Sequence, residues 1–326
     1  MSVPMTEADT ATIPALIART AERFGGQIAI VDGDRQLTYI ELQESARRFG
    51  AALIDAGVTV GDRVAIWAPN SLEWIVALLG LSQAGAALVP VNTRFKGAEA
   101  AEILGRSGAK ALVTVTDFLG TDYLTLLRET GIALPDLATI VVIHGPVPDD
   151  AVSWPTFVDH STDAACAEIL RTSAAVTADD VSDILFTSGT TGVPKGVVQT
   201  HGRTLQVAAD WAAMTGLGPS DRYLMVNPYF HMFGLKAGIL ASLVAGATML
   251  PEPVFDVDRV LQRVAASLVT VLPGPPTLYQ SILDQLPSPG RTSSSRSHRR
   301  AARSSRACSD GPSPGRGSSP RCRPCT

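Results

Sequence analysis

The sequence predicts an α/β fold with mostly parallel sheets and helices on both faces. Three observations carry that expectation. Short apolar runs of strand length alternate with helical patterns of ten residues or more through most of residues 10–286. Of the 326 residues, 45% are hydrophobic, ample for a core. The two longest apolar runs, 74–91 and 237–250, read as a buried helix followed by a buried strand. The first of these is interrupted by Gln83 and the second is too short to span a bilayer, so neither is expected to cross a membrane. The length admits two average domains or one large one, and there is no internal repeat.

The elements follow in order. Residues 13–24 form an amphipathic helix. Residues 28–31 and 36–38 form a hairpin turning at Asp32-Gly33-Asp34. A helix over 41–56 stops at Gly57, and 63–67 is a strand. Ser71 caps a helix reaching Ala84, followed by a strand over 87–91. Residues 99–106 are helix, 111–115 strand and 139–143 strand. Residues 145–178 read as a connection with one short helix near 164–172. Farther on come helix 202–215, strand 223–227, helix 236–245, strand 248–250, helix 257–267, strand 269–272 and helix 278–286.

Between these halves lies the segment that carries chemistry. Ile184 to Phe186 read as a buried strand running into Thr187-Ser188-Gly189-Thr190-Thr191-Gly192-Val193-Pro194-Lys195-Gly196. Four hydroxyls, three glycines and one lysine leave an apolar strand together. Glycines let a backbone approach an oxyanion closely, hydroxyls and N–H groups donate to phosphate oxygens, and Lys195 adds a point charge. The spacing differs from the common nucleotide loop, because Gly196 follows the lysine where a hydroxyl would hold magnesium.

This string resembles the phosphate-binding signature of the AMP-forming adenylating enzymes, which include acyl-CoA synthetases, luciferases and peptide-synthetase adenylation domains. The resemblance extends over most of residues 10–286. Leu37-Thr38-Tyr39-Ile40-Glu41-Leu42, Gly61 to Ile66 and Ala84 to Asn92 are similar to structural segments of that family. Asn227-Pro228-Tyr229-Phe230-His231-Met232-Phe233-Gly234 resembles its aromatic–histidine motif, which lines the acyl pocket. Val271-Leu272-Pro273-Gly274-Pro275-Pro276-Thr277 resembles the segment bordering that pocket.

The resemblance implies activation of a carboxylate by ATP to an acyl-adenylate, with pyrophosphate released and coenzyme A as the acceptor. It is closest to actinobacterial acyl-CoA ligases, including those acting on sterol-derived propanoates. It implies ATP binding by Thr187, Ser188, Gly189, Thr190, Thr191, Gly192 and Lys195, and Mg²⁺ bridging the phosphates with Thr187 beside it. Tyr229, His231, Phe233, Gly234, Gly274 and Pro275 are expected to bind the acid. His231 is assigned pocket lining, because a carboxylate needs no general base to attack ATP. An adenylation domain that does not use CoA, or a non-catalytic nucleotide-binding remnant, is the alternative.

No catalytic residue is expected in this chain. The family's Tyr-Gly-x-Thr-Glu motif, its ribose-binding aspartate, its hinge and its C-terminal lysine do not occur. Residues 1–290 are thus expected to be an incomplete N-terminal adenylation domain, a weak ATP binder at best and a poorly folding fragment. Residues 291–326 are expected to be a disordered tail, since they contain no Val, Ile, Leu, Met, Phe, Tyr or Trp. Their bias fits a high-GC frame shifted after about Leu286. Codons for Ser297 to Ala301, read one nucleotide on, can spell Val-Thr-Gly-Ala.

Charge divides the same way. Nine of the 27 Lys and Arg lie in that tail beside a single Asp, so the body is acidic and ill suited to nucleic acid. The tail has the charge of a basic arm but lacks interleaved aromatics and an amphipathic period. Cys322-Arg323-Pro324-Cys325 has no second pair to complete a metal site. Cys166 is the single cysteine of the body, and Glu7 and Asp9 argue against a secretory signal, so a cytoplasmic location is expected.

Overall fold

The computed structural model describes residues 11–187 and 194–285. Two sheets organise them. The first elements are helix α1 (Ile13–Phe24), strands β1 (Ile28–Asp32) and β2 (Arg35–Thr38), and helix α2 (Tyr39–Asp55). Strand β3 (Arg63–Trp67), helix α3 (Leu72–Gln83), strand β4 (Ala87–Pro90), helix α4 (Gly97–Ser107) and strand β5 (Ala111–Thr114) follow. Next come α5 (Tyr123–Arg128), β6 (Thr139–Val142), β7 (Val152–Ser153), α6 (Trp154–Asp159) and α7 (Asp163–Ala175). The second half holds β8 (Val181–Thr187), β9 (Lys195–Thr200), α8 (His201–Thr215) and β10 (Arg222–Met225). A π-helix (Phe233–Leu240) then runs into α9 (Ala241–Ala245), followed by β11 (Thr248–Pro251), α10 (Val257–Ala266) and α11 (Pro276–Gln285).

The larger sheet has the order β7-β6-β5-β3-β4-β8-β9, and the smaller β10-β11-β1-β2. Every neighbouring pair is parallel except β8–β9 and β1–β2. The expected α/β class with mostly parallel sheets is therefore what forms. Strands β3, β4 and β5 lie inside the larger sheet, so apart from Arg63 and Thr114 their side chains are apolar on both faces.

Local chemistry sets the helix starts. Thr12 caps α1 by accepting the Ala15 amide. Thr38 and Glu41 form a reciprocal capping box at the start of α2. Ser71 caps α3, and all twelve of its residues are buried. Helices α2 and α3 cross closely enough that a Cβ on Gly80 would lie 2.5 Å from the Ala46 carbonyl oxygen. Glycine is required at that crossing. Aromatic stacking extends the core: Trp67 lies on Tyr123 at 4.4 Å, and Phe49 on Trp154 at 4.7 Å.

Several elements differ from expectation. Residues 145–178 hold β7 and two helices, not one. Helix α5 and edge strand β9 were not expected at all. The strand expected at 269–272 forms a single bridge, Tyr223 with Val271. The helix expected from 236 begins at Phe233 and is π-wound through Leu240. The expected boundary at 290/291 and the tail beyond it lie outside the described residues. Among the described residues no helix is long and apolar enough to cross a membrane.

Candidate active site

The phosphate-loop candidate closes an antiparallel hairpin. Thr187 ends β8 and pairs in register with Lys195, the first residue of β9. Both are exposed at the open end of the larger sheet. A threonine and a lysine are thus cross-strand neighbours at the end of this strand pair. Of the expected phosphate ligands, Ser188, Gly189, Thr190, Thr191 and Gly192 lie outside the described residues.

The strand itself differs from the expected buried apolar run. Ile184, Leu185 and Phe186 are only half-buried, whereas the polar Ser182 and Asp183 are buried. The reason is the edge. Strand β9 leaves that side of the sheet open, with Val197 and Val198 43% and 57% exposed. Gly196 sits under the Phe186 ring, where a Cβ would lie 3.2 Å from Cζ.

The buried polar residues form a connected group. The Asp183 carboxylate accepts the Ser182 hydroxyl at 2.7 Å and the Thr204 hydroxyl of α8 at 2.8 Å. Its other oxygen lies 3.5 Å from the Lys236 ammonium, and both side chains are 2% exposed. Beside them, burial pushes the His201 imidazole down to about 4, against the pull of Asp180 and Asp183. His201 is therefore neutral, and its Nδ1 accepts the Ile13 amide at 3.3 Å.

The aromatic–histidine segment leaves β10 and enters the π-helix. Tyr229 is a core residue, with its ring on the edge of Trp74 at 5.3 Å and its hydroxyl 3.1 Å from the Met225 sulfur. Burial raises its pKa well above the ordinary phenol value, so the hydroxyl stays neutral. His231, by contrast, is exposed, and its Nδ1 accepts the Phe233 amide at 3.4 Å. Phe233 is half-buried, edge-on to Trp211 at 5.0 Å. Gly234 is buried, and a Cβ there would meet the Pro228 carbonyl oxygen at 2.2 Å. Only glycine permits that return of the chain.

The Pro273–Pro276 turn joins this segment through Asn227, whose Nδ2 donates to the Pro273 carbonyl at 2.8 Å. Gly274 is half-buried against Leu278, and Pro275 is exposed. Tyr223, Met225, Asn227, Phe233, Gly234 and Gly238 surround a narrow crevice that is closed to a water molecule in this structure. Two of the expected acid-site residues, Phe233 and Gly234, line it. Tyr229, His231, Gly274 and Pro275 do not.

Asn70 is a site-building residue that the sequence reading missed. It sits in the turn after β3 and accepts the Tyr229 amide at 2.9 Å. It also donates to the carbonyls of Met225 and Asn227 at 3.0 and 2.9 Å. The available signal was its place one residue before a helix cap, which reads as ordinary turn chemistry.

Comparison with known proteins adds to this geometry. A family model described as "AMP-binding enzyme" matches residues 17–314. Two curated relatives carry the name 3-[(3aS,4S,7aS)-7a-methyl-1,5-dioxo-octahydro-1H-inden-4-yl]propanoyl:CoA ligase. That of Rhodococcus jostii is 44% identical over 286 residues, which are 86% of this chain and 55% of the relative. That of Mycobacterium tuberculosis is 46% identical over 276 residues, 85% of this chain and 54% of the relative. The chain thus spans about half the length of the curated relatives it matches. A solved anthranilate CoA ligase in complex with anthranoyl-AMP has a TM-score of 0.75 at 25% identity, covering 84% of this chain and 52% of that one.

Proposed function

Because this chain belongs to the AMP-binding enzyme family, we propose that it carries the phosphate-binding hairpin and part of the acid pocket of an ATP-dependent carboxylate–CoA ligase. The observation that carries the reading is the pairing of Thr187 with Lys195 at the exposed mouth of a glycine- and hydroxyl-rich turn. In the proposed reaction, a carboxylate oxygen attacks the α-phosphorus of ATP and the bond to the bridging oxygen breaks. Pyrophosphate leaves and an acyl-adenylate remains. The CoA thiol then attacks the acyl carbon and displaces AMP.

The roles assigned to this chain are positioning and charge neutralisation, which dominate phosphoryl displacement. Lys195 and the hydroxyls of Thr187, Ser188, Thr190 and Thr191 hold the triphosphate, and the backbone at Gly189 and Gly192 allows close approach. Mg²⁺ enters as part of the ATP complex. The described residues contain no cluster of three His, Cys, Asp or Glu suited to a metal, so a resident ion has no protein cage there. Thr187 offers that complex one neutral oxygen.

The acid is assigned to Phe233 and Gly234, with the exposed His231 and Pro275 and the half-buried Gly274 as further contacts. The names of the relatives favour a propanoate borne on a bicyclic diketone as the acid. A cytoplasmic setting fits ATP and CoA chemistry and the unpaired Cys166.

The test is ATP–pyrophosphate exchange with a panel of carboxylates. It is run on the 326-residue chain and on residues 1–286 joined to the remaining part of the Rhodococcus jostii relative. Carboxylate-dependent exchange in the joined protein, lost on Lys195→Ala, supports the reading. A well-folded joined protein with no exchange for any acid rejects it.

A further inference from the structure

We infer that the buried Lys236–Asp183 ion pair is a positioning device that couples the acid pocket to the phosphate loop. The inference rests on the ligase reading above but adds a role for two residues that this reading leaves idle.

The placement of the two charges is the first argument. Asp183 lies in β8, between β4 and β9 in the larger sheet, four residues before Thr187. Lys236 lies in the π-helix, two residues after Gly234 and five after His231. Residues 234 and 238 border the narrow crevice assigned to the acid, and 236 reaches from the same helix to Asp183 of β8. One side chain therefore links the element that borders the crevice to the strand that feeds the phosphate turn.

The second argument is cost. A lysine and an aspartate with 2% exposure have both lost their water. An apolar pair of similar volume at such a site is commonly as stable or more stable. Stability alone does not explain the pair, whereas fixing one arrangement does.

The third is completeness of the aspartate's shell. One oxygen is held by Ser182 and Thr204, which locks the carboxylate to β8 and α8. Among the described residues the other oxygen has no hydrogen-bond donor and lies 3.5 Å from the lysine ammonium. Displacing Lys236 thus leaves a buried charge uncompensated, so the helix and strand have to move together. The helix itself is π-wound, a geometry concentrated at functional sites. Its Ala237 carbonyl is satisfied from outside by the Tyr223 hydroxyl at 3.0 Å.

The experiment is amide hydrogen exchange on the full chain, comparing wild type with Lys236→Met, Asp183→Asn and Lys236→Arg. Lys236→Met is expected to speed exchange about tenfold or more in both 184–187 and 233–238, while β5 and β6 change little. Asp183→Asn gives the same pattern and serves if Lys236→Met fails to fold. Lys236→Arg, which keeps the charge, restores most of the protection. Faster exchange confined to 233–238, or an equal increase over both sheets, overturns the coupling.

An ATP titration of the same proteins separates the two levels of the argument. Weaker binding in Lys236→Met supports the coupling. Unchanged binding in that variant overturns it and leaves the ligase reading intact. A folded joined protein, residues 1–286 with the remaining part of the Rhodococcus jostii relative, that binds no ATP overturns both.

Discussion

The Asn70 carboxamide oxygen accepts the Tyr229 amide at 2.9 Å, so a turn of the larger sheet holds the chain segment that leads to His231. The same carboxamide donates to Met225 and Asn227. Two backbone groups at the exit of the smaller sheet, the Tyr229 amide and the Asn227 carbonyl, thus depend on one side chain from the larger, while the Met225 carbonyl also accepts the Glu252 amide at 3.2 Å. Asn227 passes the constraint on to Pro273. The segment from Asn227 to Tyr229 is therefore held by a chain of hydrogen bonds reaching from the turn after β3 to the Pro273–Pro276 turn.

Replacing Asn70 by Ala strands the Tyr229 amide and the Asn227 carbonyl. The expected cost is about 2–3 kcal/mol, the penalty for leaving buried polar groups unpaired. Urea denaturation monitored by tryptophan fluorescence reads it directly. A loss below about 0.5 kcal/mol means that the cluster is not a structural support.

Gly234 and Gly238 make a contrasting pair. A Cβ at Gly234 meets the backbone oxygens of Pro228 and Asn227 at 2.2 and 2.8 Å. At Gly238 the nearest atom is 3.8 Å away. Gly234→Ala is expected to lower stability by about 1–3 kcal/mol through forced backbone movement. Gly238→Ala is expected to be neutral, or stabilising by a few tenths of a kcal/mol through reduced unfolded-state entropy. Thermal melts of the two variants check the order, and equal midpoints contradict it.

Stability should depend on pH through His201. Its pKa falls from 6.5 to about 4 on folding because burial disfavours the imidazolium. Between those values the unfolded chain binds the extra proton. The contribution is therefore complete above pH 6.5 and is lost as the pH drops toward 4, by about 3 kcal/mol in total. The carboxyl of Glu252, raised by burial, works in the opposite sense, so the wild-type profile is a sum. The difference between wild type and His201→Gln isolates the histidine. A His201→Gln profile parallel to wild type between pH 4 and 6.5 contradicts the assignment.

Much of this fold was legible in the sequence, and particular residues explain what was not. Helix α1 and strand β3 were readable to the residue, because amphipathic period and strand-length apolar runs are strong signals. Helix α5 and strand β7, six and two residues long, fall below the length at which a period can be recognised. Strand β9 was hidden because Gly196, Val197 and Val198 lie on an open edge and follow the loop signature without a break. The π-winding of 233–240 has no pattern to show, since Gly234 to Leu240 are buried all round.

The site divides on similar lines. Lys195 and Thr187 were legible because a glycine-rich turn with hydroxyls and a lysine has few other uses. Phe233 and Gly234 were proposed through their motif, and both border the crevice beside Tyr223. Asn70, Asp183 and Lys236 were missed because each looks ordinary in its local context. Asp183 sits in an apolar strand and Lys236 in an apolar helix, and what makes them unusual is their meeting across the fold.

The most direct test of the central claim is calorimetric titration of the 326-residue chain with Mg·ATP, compared with Lys195→Ala. Lys195 is exposed, so its removal should leave the thermal midpoint unchanged. The account predicts measurable binding by the wild type and a loss of about tenfold or more in the variant, the value of one charge-assisted contact to phosphate. Equal affinities in the two proteins, or no binding by a folded wild type, would contradict it.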